Sequence, residues 1–222
     1  MEKVLEYFTS VIASDNYQEV PADIVLRLNE LDRAERGDLK GHLFNEAKRF
    51  GLNGNSHQSI VWLEHAFESI EKHTFRYHQV LFSPGKDIPE TLSFLIDRAV
   101  KSIDLCVFTI SDHRLGEKLT EAHQRGVQVR IISDDQKMND RGSQVSLLDM
   151  AGIPVRIDHS RYHMHHKFGI IDGRIAFSGS YNWTYTATKH NQENLLVTTN
   201  YDIVHQYLEE YENLWQEMFP LR

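Results

Sequence analysis

From Thr74 onward, short apolar runs alternate with amphipathic segments, and this rhythm constrains the fold of the 222-residue chain more than any other feature. The runs HQVLFS, IDLCVFTI, VQVRIISD and IPVRID are separated by PETLSFLIDRAVKS, HRLGEKLTEAHQRG and SQVSLLDMAG, whose apolar residues recur at helical spacing. A β-α-β-α-β-α-β order predicts parallel strands with helices packed on a sheet. Further on, HHKFGIID and RIAFSGS flank Gly173, which predicts a tight hairpin-like turn after Asp172. ENLLVTT adds a strand before the closing helix DIVHQYLEEYENLWQEMF. The expected class is therefore α/β, with a mixed sheet between helical layers.

The first 73 residues have a different texture. EKVLEYFTSVIA, PADIVLRLNELDRAERG, DLKGHLFNEAKRFG and QSIVWLEHAFESIEKH all read as helices, and β-branched alternation is absent. Pro21 is placed for a first helical turn. Gly51 and Gly54 suit a break, and Ser56 suits an N-cap. The expected organisation is a small all-helical domain of unknown role over 1–73 and an α/β domain over 74–222.

Charge divides along the same line. The net charge of −8 argues at first against a polyanionic partner. Residues 1–73 carry 8 Lys+Arg against 13 Asp+Glu, however, whereas residues 74–200 carry 15 against 14 and hold eight of the 13 histidines. The acid sits in flanking helices, so the middle of the chain is free to present a positive groove. The hydrophobic and charged fractions, 41% and 25%, are those of an ordinary globular protein. A single cysteine, Cys106, excludes an intrachain disulfide and a cysteine-based zinc site. No apolar run approaches the roughly 20 residues that span a bilayer, and no basic leader opens the sequence. A cytoplasmic protein without a membrane anchor is the expectation.

The densest chemistry lies in HMHHKFGIIDGRIAFSGSYNWT, His163 to Thr184. On a strand, alternation puts His163, His165 and Lys167 on one face and His166 on the other. A lysine on that face repels a divalent cation and suits an anion, so no metal is expected. Ser180 lacks the GxSxG elbow of a serine nucleophile and reads as a hydroxyl donor to an anion. A half-buried strand with incidental histidines leaves unexplained why His, Lys, Ser and Asn fall together.

His165, Lys167, Asp172, Gly179, Ser180 and Asn182 match the HxKxxxxDxxxxxxGSxN signature, and the chain resembles the phospholipase D superfamily over roughly residues 76–218. MHHKFGIIDG followed by GSYNWT is similar to the short, single-motif branch, which comprises small bacterial endonucleases and Zucchini-type nucleases or cardiolipin hydrolases. The resemblance implies a phospholipase D-like sheet and a metal-independent phosphodiesterase that uses no cofactor. Neutral His165 attacks phosphorus to give a phosphohistidine, while Lys167, Ser180 and Asn182 stabilise the developing charge. The resemblance also assigns Glu193 as the carboxylate that fixes the histidine tautomer. Asp172 belongs to the signature set, although its place at a strand end suggests that it anchors the turn. One motif copy per chain implies a homodimer, with both His165 residues meeting one phosphate at a twofold axis. The favoured substrate is DNA or RNA, with Lys137 and Arg141 as phosphate contacts and Tyr181 and Trp183 beside the groove to stack on bases. The alternatives are a phospholipase D or cardiolipin hydrolase, and a non-catalytic phosphate-binding interaction module. The helical domain resembles no named family; a protein partner or restraint of the enzyme are the roles its separateness and acidity motivate.

Overall fold

The computed structural model describes residues 1–12, 19–31, 33–72 and 77–221. These residues fall into two compact units, Met1–Phe75 and Arg76–Arg222. The expected boundary between His73 and Thr74 lies outside the described residues, as does the expected end of the first helix at Ala13.

The first unit contains α1 (Glu2–Ser10), α2 (Ala22–Glu30), α3 (Arg33–Phe50) and α4 (Ser56–Lys72), with a wide turn at Gly51–Asn55 joining the last two. Val4, Phe8, Leu28, Leu39, Leu43, Trp62, Ala66 and Ile70 form its core. Trp62 donates its indole N–H to the Phe8 carbonyl at 2.8 Å, which satisfies a buried polar group. The sequence suggested a helix break near Gly37, but α3 runs through Gly37 and Gly41. Both glycines face open space, and each costs only about 1 kcal/mol of helix propensity, which burial of Leu39 and Leu43 offsets. The break falls instead at Leu31, which is extended and buried. Ser56 donates its hydroxyl to the Gly51 carbonyl at 3.2 Å, so its side chain closes the turn.

The second unit runs β1 (His78–Phe82), α5 (Asp87–Arg98), β2 (Ser102–Val107), α6 (His113–Gln124), β3 (Gln128–Ser133), α7 (Val145–Met150), β4 (Val155–Ile157), β5 (Lys167–Ile171), β6 (Ile175–Gly179), α8 (Tyr185–Lys189), β7 (Asn194–Thr198), α9 (Tyr201–Glu217) and β8 (Phe219–Pro220). One eight-stranded sheet has the order β1-β7-β6-β5-β2-β3-β4-β8. β2, β3 and β4 are parallel, as their βα rhythm suggested, and the remaining pairs are antiparallel. β1 lies at the far edge, paired with β7 instead of β2.

Helices cover both faces of the central strands. Leu105, Ile131 and Phe177 face a core that includes Leu92, Leu119 and Leu148 of α5, α6 and α7. Their chain neighbours Cys106, Ile132 and Ala176 face Val204 and Tyr211 of α9. This two-sided burial explains why IDLCVFTI is continuously apolar where a half-exposed strand would alternate. Arg130 fastens α9 to the sheet: its guanidinium meets Asp104 at 2.7 Å and Glu212 at 2.5 Å, and lies over the rings of Tyr211 and Trp215. Among the described residues, no helix is long and apolar enough to cross a membrane.

Candidate active site

Strand direction assembles the site. β2 and β3 run parallel to each other and antiparallel to β5, so the chain following β2 and β3 meets the chain entering β5 at one end of the sheet. The exit of β6 and the entry of β7 lie at the same end, since each pairs antiparallel with its neighbour. Phe108, Asp134, His165, Lys167, Ser180, Asn182 and Glu193 all belong to those exits and entries.

The ring of Phe108 is the hub. His165 packs on it at 4.5 Å and His163 at 5.2 Å between ring centres, while the ammonium groups of Lys167 and Lys137 lie 5.0 and 5.5 Å from its centroid. His166 packs on Phe168 at 5.5 Å and reaches 4.0 Å from Glu210 of α9. The two sides expected from alternation are thus occupied, although regular strand begins only at Lys167. The backbone around His165 is clamped on both sides. Met164 N–H donates to Asp134 at 3.1 Å, Phe108 N–H donates to the His166 carbonyl at 2.9 Å, and Lys167 Nζ donates to the His165 carbonyl at 2.8 Å. Asp134 and Phe108 were invisible to motif reading; their signal is only that an acid and an aromatic close two apolar strands.

Burial, and then the charges of Lys167 and His163, hold the His165 imidazole below its ordinary range. The ring is exposed, and this depression favours its neutral form. Lys167 is buried, which lowers its ammonium, and the Glu193 carboxylate acts in the opposite direction. Glu193 accepts from Asn191 Nδ2 at 2.9 Å. Among the described residues, the His165 ring makes no hydrogen bond to Glu193, so this carboxylate bears on the site through Lys167.

Ser180 is exposed, and its hydroxyl accepts Asn194 N–H at 3.1 Å. Gly179 is required by close approach, because a Cβ there would stand 2.1 Å from the Asn194 carbonyl oxygen. Asn182 sits between Tyr181 and Trp183, beside the continuation of β2, where Trp183 N–H donates to the Thr109 carbonyl at 3.1 Å. The Asn182 Oδ1 is buried without a hydrogen-bond partner.

Asp172 anchors the turn, as its strand-end place suggested, which removes it from the signature's catalytic set, and the stacking expected of Tyr181 and Trp183 needs correction. Asp172 lies at the other end of β5, about 17 Å of strand from Lys167, and its carboxylate accepts the N–H groups of Val100, Lys101 and Ser102 at 2.6–3.1 Å. With φ 54° followed by Gly173 at 64°, it holds the β5–β6 turn and cannot act at the site. Tyr181 and Trp183 are 0% and 1% exposed, so neither stacks on a base. Alternation past β6 turns these aromatics inward, Tyr181 to Thr188 at 2.5 Å and Trp183 onto Phe177, and leaves Ser180 outward. Lys137 remains near the site and pairs with Asp140 at 3.0 Å, and Arg141 is exposed on the same loop.

Among the described residues, Asp134, Asp135 and Asp158 form one group with ligand atoms within 4.8 Å of one another. Asp134 already accepts from Gln136, Lys137 and Met164 N–H and from His163 Nδ1, which uses the four acceptor positions of its carboxylate. Cys106 is buried at 3.3 Å from the Met164 sulfur, and burial raises its thiol pKa, so it stays inert.

Comparison with known proteins agrees with this construction. Residues 92–215 match the family described as "Cardiolipin synthase, PLD-like domain". The mitochondrial cardiolipin hydrolase of Xenopus tropicalis is 46% identical over 129 residues, covering 58% of this chain and 61% of that protein. The human protein of the same name is 45% identical over 121 residues, covering 54% of this chain and 48% of its own length. The chain thus spans about half to three-fifths of these curated relatives. Among solved structures, Nuc from Salmonella typhimurium, a phospholipase D family member, superposes with a TM-score of 0.62 at 28% identity, covering 67% of this chain and 99% of Nuc. NucT from Helicobacter pylori shares the fold, with a TM-score of 0.61 at 22% identity over 66% of this chain and all of NucT. The matched span begins in α5 and ends in α9, so it contains both the sheet end and the HxK and GSxN segments built on it: the chain belongs to the PLD-like domain family.

Proposed function

We propose that the protein is a metal-independent phosphodiesterase that hydrolyses DNA or RNA as an endonuclease, with His165 as nucleophile. The observation that carries this reading is the pairing of a neutral, exposed imidazole with the buried Lys167 ammonium on one aromatic ring. Attack of the imidazole on phosphorus forms a P–N bond and expels an alkoxide, which takes a proton; water then cleaves the P–N bond and returns the imidazole. Lys167, the Ser180 hydroxyl and the Asn182 carboxamide supply donors for the non-bridging oxygens, and Glu193 sustains the charge of Lys167. Lys137 and Arg141 extend the positive rim toward neighbouring phosphates. While attached to phosphorus, His165 cannot also protonate the leaving oxygen, so a second copy of the chain supplies its own His165 across a twofold axis in the protonated form, and that imidazolium gives its proton to the leaving alkoxide. We place the enzyme in the cytoplasm and assign the helical unit to a protein partner or to restraint of the enzyme.

The names of the curated relatives favour a second reading, cardiolipin hydrolysis in mitochondria. The deciding experiment incubates the purified chain with single- and double-stranded DNA, RNA and cardiolipin vesicles in EDTA, beside His165→Ala. Oligonucleotide cleavage that persists in EDTA and disappears with His165→Ala is the expected result. Cleavage of cardiolipin alone would establish the lipid reading, and inactivity on every substrate would leave a phosphate-binding module.

A further inference from the structure

His163 stands outside the signature and outside the mechanism above, yet it belongs to the same surface. Its Nδ1 lies 3.0 Å from an oxygen of Asp134, a fully buried carboxylate. Because that carboxylate only accepts, Nδ1 carries the hydrogen and Nε2 is the nitrogen left for another partner. Asp134 cannot swing away, since it also holds the N–H groups of Gln136, Lys137 and Met164. The His163 side chain is 47% exposed and packs edge-on against Phe108, the ring that also carries His165 and Lys167. Lys137 lies on that ring as well. When an anion meets Nε2, the ring donates from both nitrogens, Nδ1 to the Asp134 carboxylate and Nε2 to the anion. This pair therefore has the construction of an anion contact adjoining His165, with a second cation close by.

We infer that His163, anchored by Asp134, is a second phosphate contact: its Nε2–H binds a phosphate next to the one attacked at His165. A substrate that fills both positions carries two phosphodiesters a few bonds apart; a nucleic-acid strand does so repeatedly and cardiolipin does so once, and the binding test below separates the two. The inference rests on the proposed nuclease activity and adds to it a second point of contact along the strand.

The test measures binding of a fluorescein-labelled single-stranded oligonucleotide to the full chain by anisotropy at about pH 6 over a salt series. The His165→Ala background prevents cleavage during the titration. Adding His163→Ala is expected to raise the Kd about fivefold or more and to flatten the dependence of log Kd on log salt by about 0.7, the share of one single-strand phosphate contact. His163→Arg, which keeps a cation there without the anchor, should recover the salt slope; a purely structural histidine would not be rescued in this way. Equal Kd and slope with and without His163 would overturn the inference while leaving the nuclease reading intact. No oligonucleotide binding by His165→Ala, with binding of cardiolipin vesicles, would overturn the nuclease reading and this inference with it. Asp134→Asn should reproduce part of the His163→Ala loss, and if it does not fold, the His163 pair of variants decides.

Discussion

Lys167 helps to set the protonation of His165, and that coupling is measurable. Because burial and the neighbouring ammonium depress the imidazole, the acid limb of kcat/KM should lie below the ordinary histidine value of about 6.5. Lys167→Met removes one of the depressing influences, so the limb should move upward while kcat falls about 10²–10³-fold; an unmoved limb in a residually active variant would contradict the coupling. Asp172 predicts the opposite phenotype. Its carboxylate satisfies three backbone N–H groups, so Asp172→Ala should cost about 2–3 kcal/mol in denaturant unfolding, while kcat per folded molecule stays within a few-fold. The signature was fully legible in the sequence because its members lie close together in one stretch. Asp134 and Phe108, far upstream, reach the site only through strand pairing, and no local pattern distinguishes an acid that holds a backbone amide from a solvated one.

Strand direction turns five separated segments into one surface. The βα rhythm disclosed the parallel β2–β3–β4 set and the turn at Asp172–Gly173, but nothing local specifies which strand an edge strand joins. β1 was therefore readable as a strand and unreadable as the partner of β7. Tyr181 and Trp183 were misread for a related reason. Past β6 the period of two continues without regular strand, and it sends the aromatics inward. Trp183→Ala should accordingly lose about 3–5 kcal/mol of stability, with oligonucleotide affinity of the folded fraction unchanged. At Gly179 the β6 and β7 backbones approach too closely for any side chain. Gly179→Ala should shift Ser180 and Asn182, cost about 1–3 kcal/mol, and reduce kcat more than KM in steady-state kinetics.

For the molecule as a whole, charge and copy number matter most. An acidic chain acts on a polyanion if its basic groups are concentrated locally, and Lys137, Lys167, His163 and His165 gather on one ring at one end of the sheet. If each working site needs His165 from two copies, mixing wild-type protein with His165→Ala under exchange should lower activity as the square of the wild-type fraction; a linear fall would show that one chain suffices. The most direct measurement is the fate of the phosphorus atom. Wild-type protein mixed with an oligonucleotide labelled at the scissile phosphate, in EDTA, is quenched within a turnover under mildly alkaline conditions that preserve P–N bonds, then mapped by peptide. The account predicts label on the His165 peptide, chased off as product accumulates. Label on another residue, or loss of hydrolysis on chelation, would contradict it.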